Sequence, residues 1–166
     1  MTGRQLNILD LTKTTILPKK DDWLTPSVIY EPLDRRFNFD FDPCPYPRPE
    51  WDGLEVEWGK SNFVNPPYSR PGPWVRKAIK ENQKGKTVVF MHPCNDSLFK
   101  LLKYASDYVC FEGKDARFID PVDRKLKRVN YDILAIILDG SPLNTPPLNG
   151  NIPQSTEPTG FQKEEV

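Results

Sequence analysis

Apolar positions in this chain come in short bursts, and their spacing changes character along the length. Residues 87–91, Thr-Val-Val-Phe-Met, form an unbroken run of strand length, the kind buried on both faces of a sheet. Residues 108–111 and 131–138 read as two further strands. Phe63-Val64 ends a short fourth one, because Pro66 and Pro67 forbid its continuing. Residues 37–43 alternate aromatic and polar positions, a strand pattern that Pro43 stops. Between these segments the period lengthens. Residues 73–82 predict a helix with Trp74, Val75, Ala78 and Ile79 on its apolar face and Arg76, Lys77 and Lys80 outward, with Gly85 beyond its end. Pro26 is expected to be the first residue of an earlier helix, capped by Thr25 and turning Val28, Ile29 and Leu33 inward. A third helix, capped by Asn95, Asp96 or Ser97, is expected to bury Leu98, Phe99, Leu101, Leu102 and Ala105.

Strands alternating with amphipathic helices predict an α/β domain with a mostly parallel, helix-covered sheet. The stretch between the last two strands is too short for a helical crossover, so that C-terminal pair is expected to be antiparallel. Three regions carry no period. Residues 1–21 form an arm with scattered apolar positions. Residues 43–60 form a long loop holding Pro43, Pro45, Pro47 and Pro49 with Trp51 and Trp58, and a loop of that length inside a compact domain is functional or mobile. Residues 140–166 are too polar to bury the surface that ordering requires and are expected to be a disordered tail. One domain, residues 22–139, lies between arm and tail.

Composition narrows this picture. A chain of 166 residues suits one domain with a real core. Its 23 Lys and Arg balance 23 Asp and Glu, so no global field draws it to nucleic acid, and any such contact must come from a local patch. Three cysteines without paired Cys-x-x-Cys spacing point to a reducing compartment and away from disulfides or zinc. A single histidine excludes a histidine-rich metal site, so no metal is expected. No apolar run approaches a membrane span and no signal-peptide pattern is present, so the expectation is a cytoplasmic protein with no membrane partner.

The candidate chemistry sits at Asn65-Pro66-Pro67-Tyr68. After a strand end, the two prolines make a rigid turn that sets an amide side chain, an outward carbonyl and an aromatic ring side by side. That set suits a planar amine. The Asn65 side-chain oxygen and the Pro66 carbonyl accept its two hydrogens and favour a pyramidal nitrogen, while Tyr68 stacks on the ring. A methyl donor opposite the lone pair would complete an in-line transfer. These residues alone define the substrate only as a planar amine. His92, at the end of a buried strand, reads as a hydrogen-bonded structural residue.

Asn-Pro-Pro-Tyr resembles the catalytic motif of S-adenosylmethionine-dependent amino-methyltransferases that act on adenine, on exocyclic amines of RNA bases or on glutamine amides. Three further pieces sharpen the resemblance: Trp23-Leu24-Thr25-Pro26 before the first helix, Asp42-Pro43, and the element from Gly113 to Arg117-Phe118. In this order, over roughly residues 22 to 138, they resemble the phage-type DNA N-6-adenine methyltransferases, a Dam-like family. The resemblance implies a small Rossmann-like fold that takes a methyl group from S-adenosylmethionine to adenine in double-stranded phage or prophage DNA, protecting it from restriction or altering its binding by host proteins. It implies catalytic roles for Asn65, Pro66, Pro67 and Tyr68 and cofactor contacts from Asp42, Thr25, Pro26 and Pro43. It further implies DNA contacts from Arg70, Arg117, Arg124, Lys125, Lys127 and Arg128, with the target base leaving the stack. Most amino-methyltransferases carry a glycine-rich loop after the first strand, whereas here Asp42 precedes Pro-Cys-Pro-Tyr-Pro-Arg-Pro, with no glycine before Gly53. Alternative readings are an RNA-base or protein-glutamine methyltransferase and a catalytically silent DNA-binding relic.

Overall fold

The computed structural model describes residues 20–113 and 116–140; the expected arm, but for its last two residues, and nearly all of the expected tail lie outside them. In chain order the elements are α1 (Ser27–Phe37), β1 (Ser61–Val64), α2 (Pro71–Asn82), β2 (Thr87–Pro93), α3 (Phe99–Leu102), β3 (Asp107–Phe111), β4 (Arg117–Ile119), β5 (Leu126–Arg128) and β6 (Ile133–Leu138). The main sheet has the order β1-β2-β6-β3, and β4 and β5 form a separate ribbon. β2 is its spine, buried from Val88 to His92, as its continuous apolar run requires.

The sheet is mixed rather than mostly parallel. Only β1 and β2 pair in parallel, with Phe63 beside Val89. β6 inserts between β2 and β3, so both of its ladders are antiparallel. The expected antiparallel pairing of the last two long strands is present, and the reversal of β6 leaves β1, β2 and β3 running one way. Alternation along the strands sends Phe63, Val89, Met91, Ala135 and Ile137 toward α1 and the ribbon. Val64, Val88, Phe90, Ile136 and Leu138 meet α2 and α3 on the other face.

The strand expected over residues 37–43 shrinks to one parallel bridge between Phe41 and Asn62. Phe37 closes α1, and Asn38 takes a left-handed φ of 48° just after it. The Asp40 carboxylate accepts from the amides of Lys60 and Ser61 at 3.1 and 3.0 Å, so a side chain replaces further ladder bonds. The bridge still sets Asp42 at the same sheet end as Asn65.

The helices differ from expectation in register and length. Pro26 is the N-cap of α1 rather than its first residue, and its φ of −70° and ψ of 153° are extended. Ile29 and Leu33 are buried as an i,i+4 pair, while Val28 is 77% exposed, because the position directly before Ile29 is turned about 100° off that face. Four residues of α3, preceded by a 3-10 turn, bury Leu98 and Leu101 and leave Phe99 and Leu102 exposed. α2 starts at Pro71 and buries Val75 and Ala78.

Lys77 does not face out. Its Nζ reaches the Glu81 carboxylate at 3.1 Å and lies 6.0 Å from the Trp58 ring centre. Glu81 is fully buried and also holds Lys84 at 2.9 Å and Lys86 at 2.7 Å. Lys86 continues to the Trp58 carbonyl at 2.6 Å and to Glu57, pinning the end of the proline-rich loop beneath α2. Burial alone would raise the Glu81 carboxyl; the three ammonium groups outweigh it and hold the group down to about 2. Removing one member of such a set strands the others. Glu81→Ala is therefore expected to lower stability by about 3–5 kcal/mol in urea unfolding. The folded value lies below the ordinary 4.5, so the contribution is complete above that pH and fades as pH falls toward about 2. Glu81→Gln should accordingly flatten the acid limb of the stability profile.

Candidate active site

Residues 21–25 run as a strap past the ends of the strands, tied to the turn after β1, to the proline-rich loop and to the ribbon. The Asp21 carboxylate accepts from the Ser69 amide at 3.1 Å and its hydroxyl at 2.6 Å. Asp22 pairs with Arg48 of the proline-rich loop. Leu24 exchanges two backbone hydrogen bonds of 2.9 Å with Ile119 of β4. The Thr25 hydroxyl accepts from Asn65 Nδ2 at 3.1 Å. It caps no helix, contrary to the reading from sequence, because it is turned to Asn65.

Two cavities meet along this strap. One of about 640 Å³ holds Asp42, Thr25, Pro43 and Pro67 in its wall. The other, about 570 Å³, is lined by Pro66, Tyr68, Phe118, Arg128, Asn130 and Tyr131. Asp21, Trp23 and Asn65 stand in both walls. The topology explains the convergence. β1 delivers Asn65 at its carboxyl end, the Phe41 bridge delivers Asp42 beside it, and antiparallel β6 starts at that same end, which brings up residues 129–131. Pro26 is buried at the N-cap of α1 and lines neither cavity.

Asn65 Oδ1 is buried and has no hydrogen-bond partner among the described residues. The Tyr68 ring is fixed edge-to-face by His92, centroids 5.2 Å apart, and by Phe118 at 6.3 Å. Burial, with Tyr131 adding to it, pushes the Tyr68 hydroxyl far above its usual value, so it stays a neutral phenol. His92 sets Nδ1 against the Pro93 carbonyl at 2.9 Å, and burial lowers its pKa. It therefore braces Tyr68 as a neutral ring, in keeping with a structural role.

Asp42 accepts from the Cys44 amide at 2.7 Å, yet burial pushes its carboxyl up from 3.8 to about 6. The proline-rich loop folds back so far that a Cβ on Gly53 would lie 2.0 Å from the Pro43 carbonyl oxygen. Gly53 thus lets the loop approach Pro43 closely, and it lies in the wall of the first cavity. Aromatic rings (Trp23, Tyr30, Trp51, Trp74) and carboxylates line that wall together. This donor set fits S-adenosylmethionine, which joins a flat heterocycle to an ammonium and a sulfonium, and the volume is ample for such a ligand.

The basic residues divide. Arg117 and Arg128 are direct cross-strand partners on the ribbon, and Arg124 sits at its turn with a φ of 58°, next to Lys125. Lys127 is held by Asp123 at 2.8 Å and Asp120 at 3.7 Å. Arg70 is the N-cap of α2. Reading the sequence alone misses Asp21 and Arg48 in these walls and takes Trp23 only as part of the Trp23-Leu24-Thr25-Pro26 motif.

Two cavities of an α/β domain thus share the Asn65 amide in their walls. The chain belongs to the DNA N-6-adenine-methyltransferase (Dam) family, whose profile matches residues 12–138 and so reaches back into the expected arm. It is similar to a DNA N-6-adenine-methyltransferase of Haemophilus phage HP1 (strain HP1c1), with 35% identity over 85 residues, 43% of this chain and 49% of the relative. The chain thus spans about half the length of that curated relative. No solved structure matches it. Among the described residues no group of metal-ligating side chains is present, and no helix is long and apolar enough to cross a membrane.

Asp42 yields a prediction with a definite sign. Its folded value lies above the ordinary one, so it stabilises the fold below about 3.8 and loses that contribution as pH rises to about 6. Relative to Asp42→Asn, the wild-type protein should lose stability across that window in thermal unfolding. S-adenosylhomocysteine, an unreactive probe, should bind more tightly as Asp42 ionises and level off above about 6. Asp42→Asn should flatten that profile and weaken binding at neutral pH by roughly tenfold or more, the loss of a charge-assisted hydrogen bond.

Proposed function

We propose that this protein transfers a methyl group from S-adenosylmethionine to the exocyclic amino group of adenine in DNA. The observation that carries the reading is the Asn65 side-chain oxygen, buried, unpartnered and set in the wall between two cavities. A buried acceptor left empty costs about 1–3 kcal/mol, and an incoming N–H donor removes that cost. Family membership supports adenine as the donor and phage DNA as its setting.

In this reading the first cavity, with Asp42 and Pro43 in its wall, holds the cofactor, whose sulfonium supplies an electrophilic methyl group. The base occupies the second cavity against Tyr68. Asn65 Oδ1 accepts one amino hydrogen and the Pro66 carbonyl the other, which draws the nitrogen lone pair out of the ring's conjugation. The edge contacts of His92 and Phe118 keep the Tyr68 ring in one plane, and Pro66 and Pro67 hold the turn rigid. The methylated nitrogen gives up its proton to water through the open cavities. Neutral His92 and the high-pKa phenol of Tyr68 are not bases for this step.

The same reading takes the sheet as Rossmann-like: three strands run one way, helices cover both faces, and Asp42 and Asn65 stand at carboxyl ends. A base in a duplex reaches Asn65 only by leaving the stack. The ribbon supports the duplex backbone. Arg117 opposite Arg128 is an unfavourable pair by itself and becomes favourable beside phosphate. Arg124 and Lys125 extend it at the turn and Arg70 adds a contact at α2, whereas Lys127 is already engaged by carboxylates and contributes less.

A labelled-methyl assay tests the whole reading. Duplex DNA containing adenine should be labelled, while duplex without adenine, structured RNA and a glutamine-bearing peptide should not. Asn65→Ala should lower the rate by about 10²–10³-fold, the scale of losing one preorganised polar group. Preferential labelling of RNA or peptide would overturn adenine in DNA as the substrate. Separately, Arg117→Ala and Arg128→Ala should each reduce the salt slope of duplex binding by about one and leave S-adenosylhomocysteine affinity unchanged.

A further inference from the structure

We infer that Thr25 is a positioning residue that orients the Asn65 amide, rather than a contact to the cofactor. The inference rests on the amine-clamp reading above. An asparagine side chain has two ends of nearly equal shape and opposite hydrogen-bonding sense. Only its oxygen end can accept from an amino group; turned over, it would set one NH₂ against another.

Thr25 selects between these states. Its hydroxyl stands 3.1 Å from Asn65 Nδ2, which leaves Oδ1 buried and without a partner among the described residues, on a side chain that lines both cavities. A hydroxyl can also donate, so the contact by itself does not choose an orientation. The acidic wall does. Thr25 shares the first cavity with Asp21, Asp22 and Asp42, so the hydroxyl hydrogen is drawn toward carboxylates and a lone pair is left for Asn65. Were the amide reversed, the hydroxyl would turn its lone pairs on that acidic wall and Nδ2 would be buried without an acceptor.

The backbone holds the hydroxyl in place for this purpose. Leu24 is locked to Ile119 by two hydrogen bonds, and Pro26 fixes the next φ at −70°. Thr25 directly precedes the N-cap of α1, and no side-chain cap is made there among the described residues. Its hydroxyl is turned to Asn65, 40 positions away in sequence.

The experiment compares Thr25→Val, of equal shape but with no hydroxyl, with Thr25→Ser. At saturating S-adenosylmethionine and duplex DNA, Thr25→Val should lower the transfer rate by about 10- to 100-fold, and Thr25→Ser by less than about threefold. Affinities of both variants for S-adenosylhomocysteine and for the duplex should stay within about twofold of wild type. A loss of S-adenosylhomocysteine affinity matching the loss of rate would make Thr25 a cofactor contact and overturn the inference. A Thr25→Val rate equal to wild type would overturn it as well. Should valine disturb the turn, Thr25→Ala removes the hydroxyl without added bulk. If the wild-type protein binds S-adenosylhomocysteine but transfers no methyl to adenine, the functional reading fails. The contact is then judged by nuclear magnetic resonance: the Asn65 side-chain NH₂ signals should shift in Thr25→Val, and unmoved signals would overturn it.

Discussion

Prolines strip backbone donors from both loops that wall the site, and the rest of the architecture answers that lack. The turn after β1 carries Pro66 and Pro67, and the loop after Asp42 carries four prolines, so neither can be secured by a ladder of its own. Side chains of one strap do this instead. Asp21 takes hold of Ser69, Asp22 of Arg48, and Thr25 of Asn65, while Leu24 anchors the strap to the ribbon. Two loops and a ribbon distant in sequence are thereby held by four residues within one five-residue stretch.

The site is chemically quiet. Tyr68 and His92 are both kept neutral by burial, and Asp42 is poised to lose its charge near pH 6 unless a donor meets it. Such a site suits a reaction in which binding groups shape an amine rather than remove its proton. Charge is concentrated elsewhere, in the buried Glu81 set beneath α2 and in the arginines of the ribbon. The first secures the scaffold, and the second lies where a polyanion can reach it.

Much of this was legible from residue order. The apolar run of β2 and the 3.6-residue period of α2 identify themselves, and the turn at Asn65-Pro66-Pro67-Tyr68 can be placed because strand, turn and helix follow in sequence. Other features need distant partners. The pattern at residues 37–43 looks like a strand until Asp40 is seen to cap the neighbouring amides. β4 and β5 are three residues each and heavily charged, so no periodicity marks them. β6 could be paired with β3 from loop length, but its place between β3 and β2 is a tertiary outcome. Lys77 and Glu81 resemble an ordinary surface pair until Lys86 and Trp58 close over them. Gly53 is recognisable as the close-approach residue only after the loop has doubled back onto Pro43.

The proline-rich wall has a consequence for how affinity arises. A glycine-rich loop is conformationally free before its ligand arrives, and binding must restrict it. Here the pyrrolidine rings of Pro43, Pro45, Pro47 and Pro49 have already fixed φ at four alternate positions, in the unfolded chain as much as in the folded one. Less freedom remains for any ligand to remove than a glycine-rich loop would carry. Part of the entropy of ordering this wall is thus removed by covalent structure before folding begins, through conformations the chain was never able to adopt.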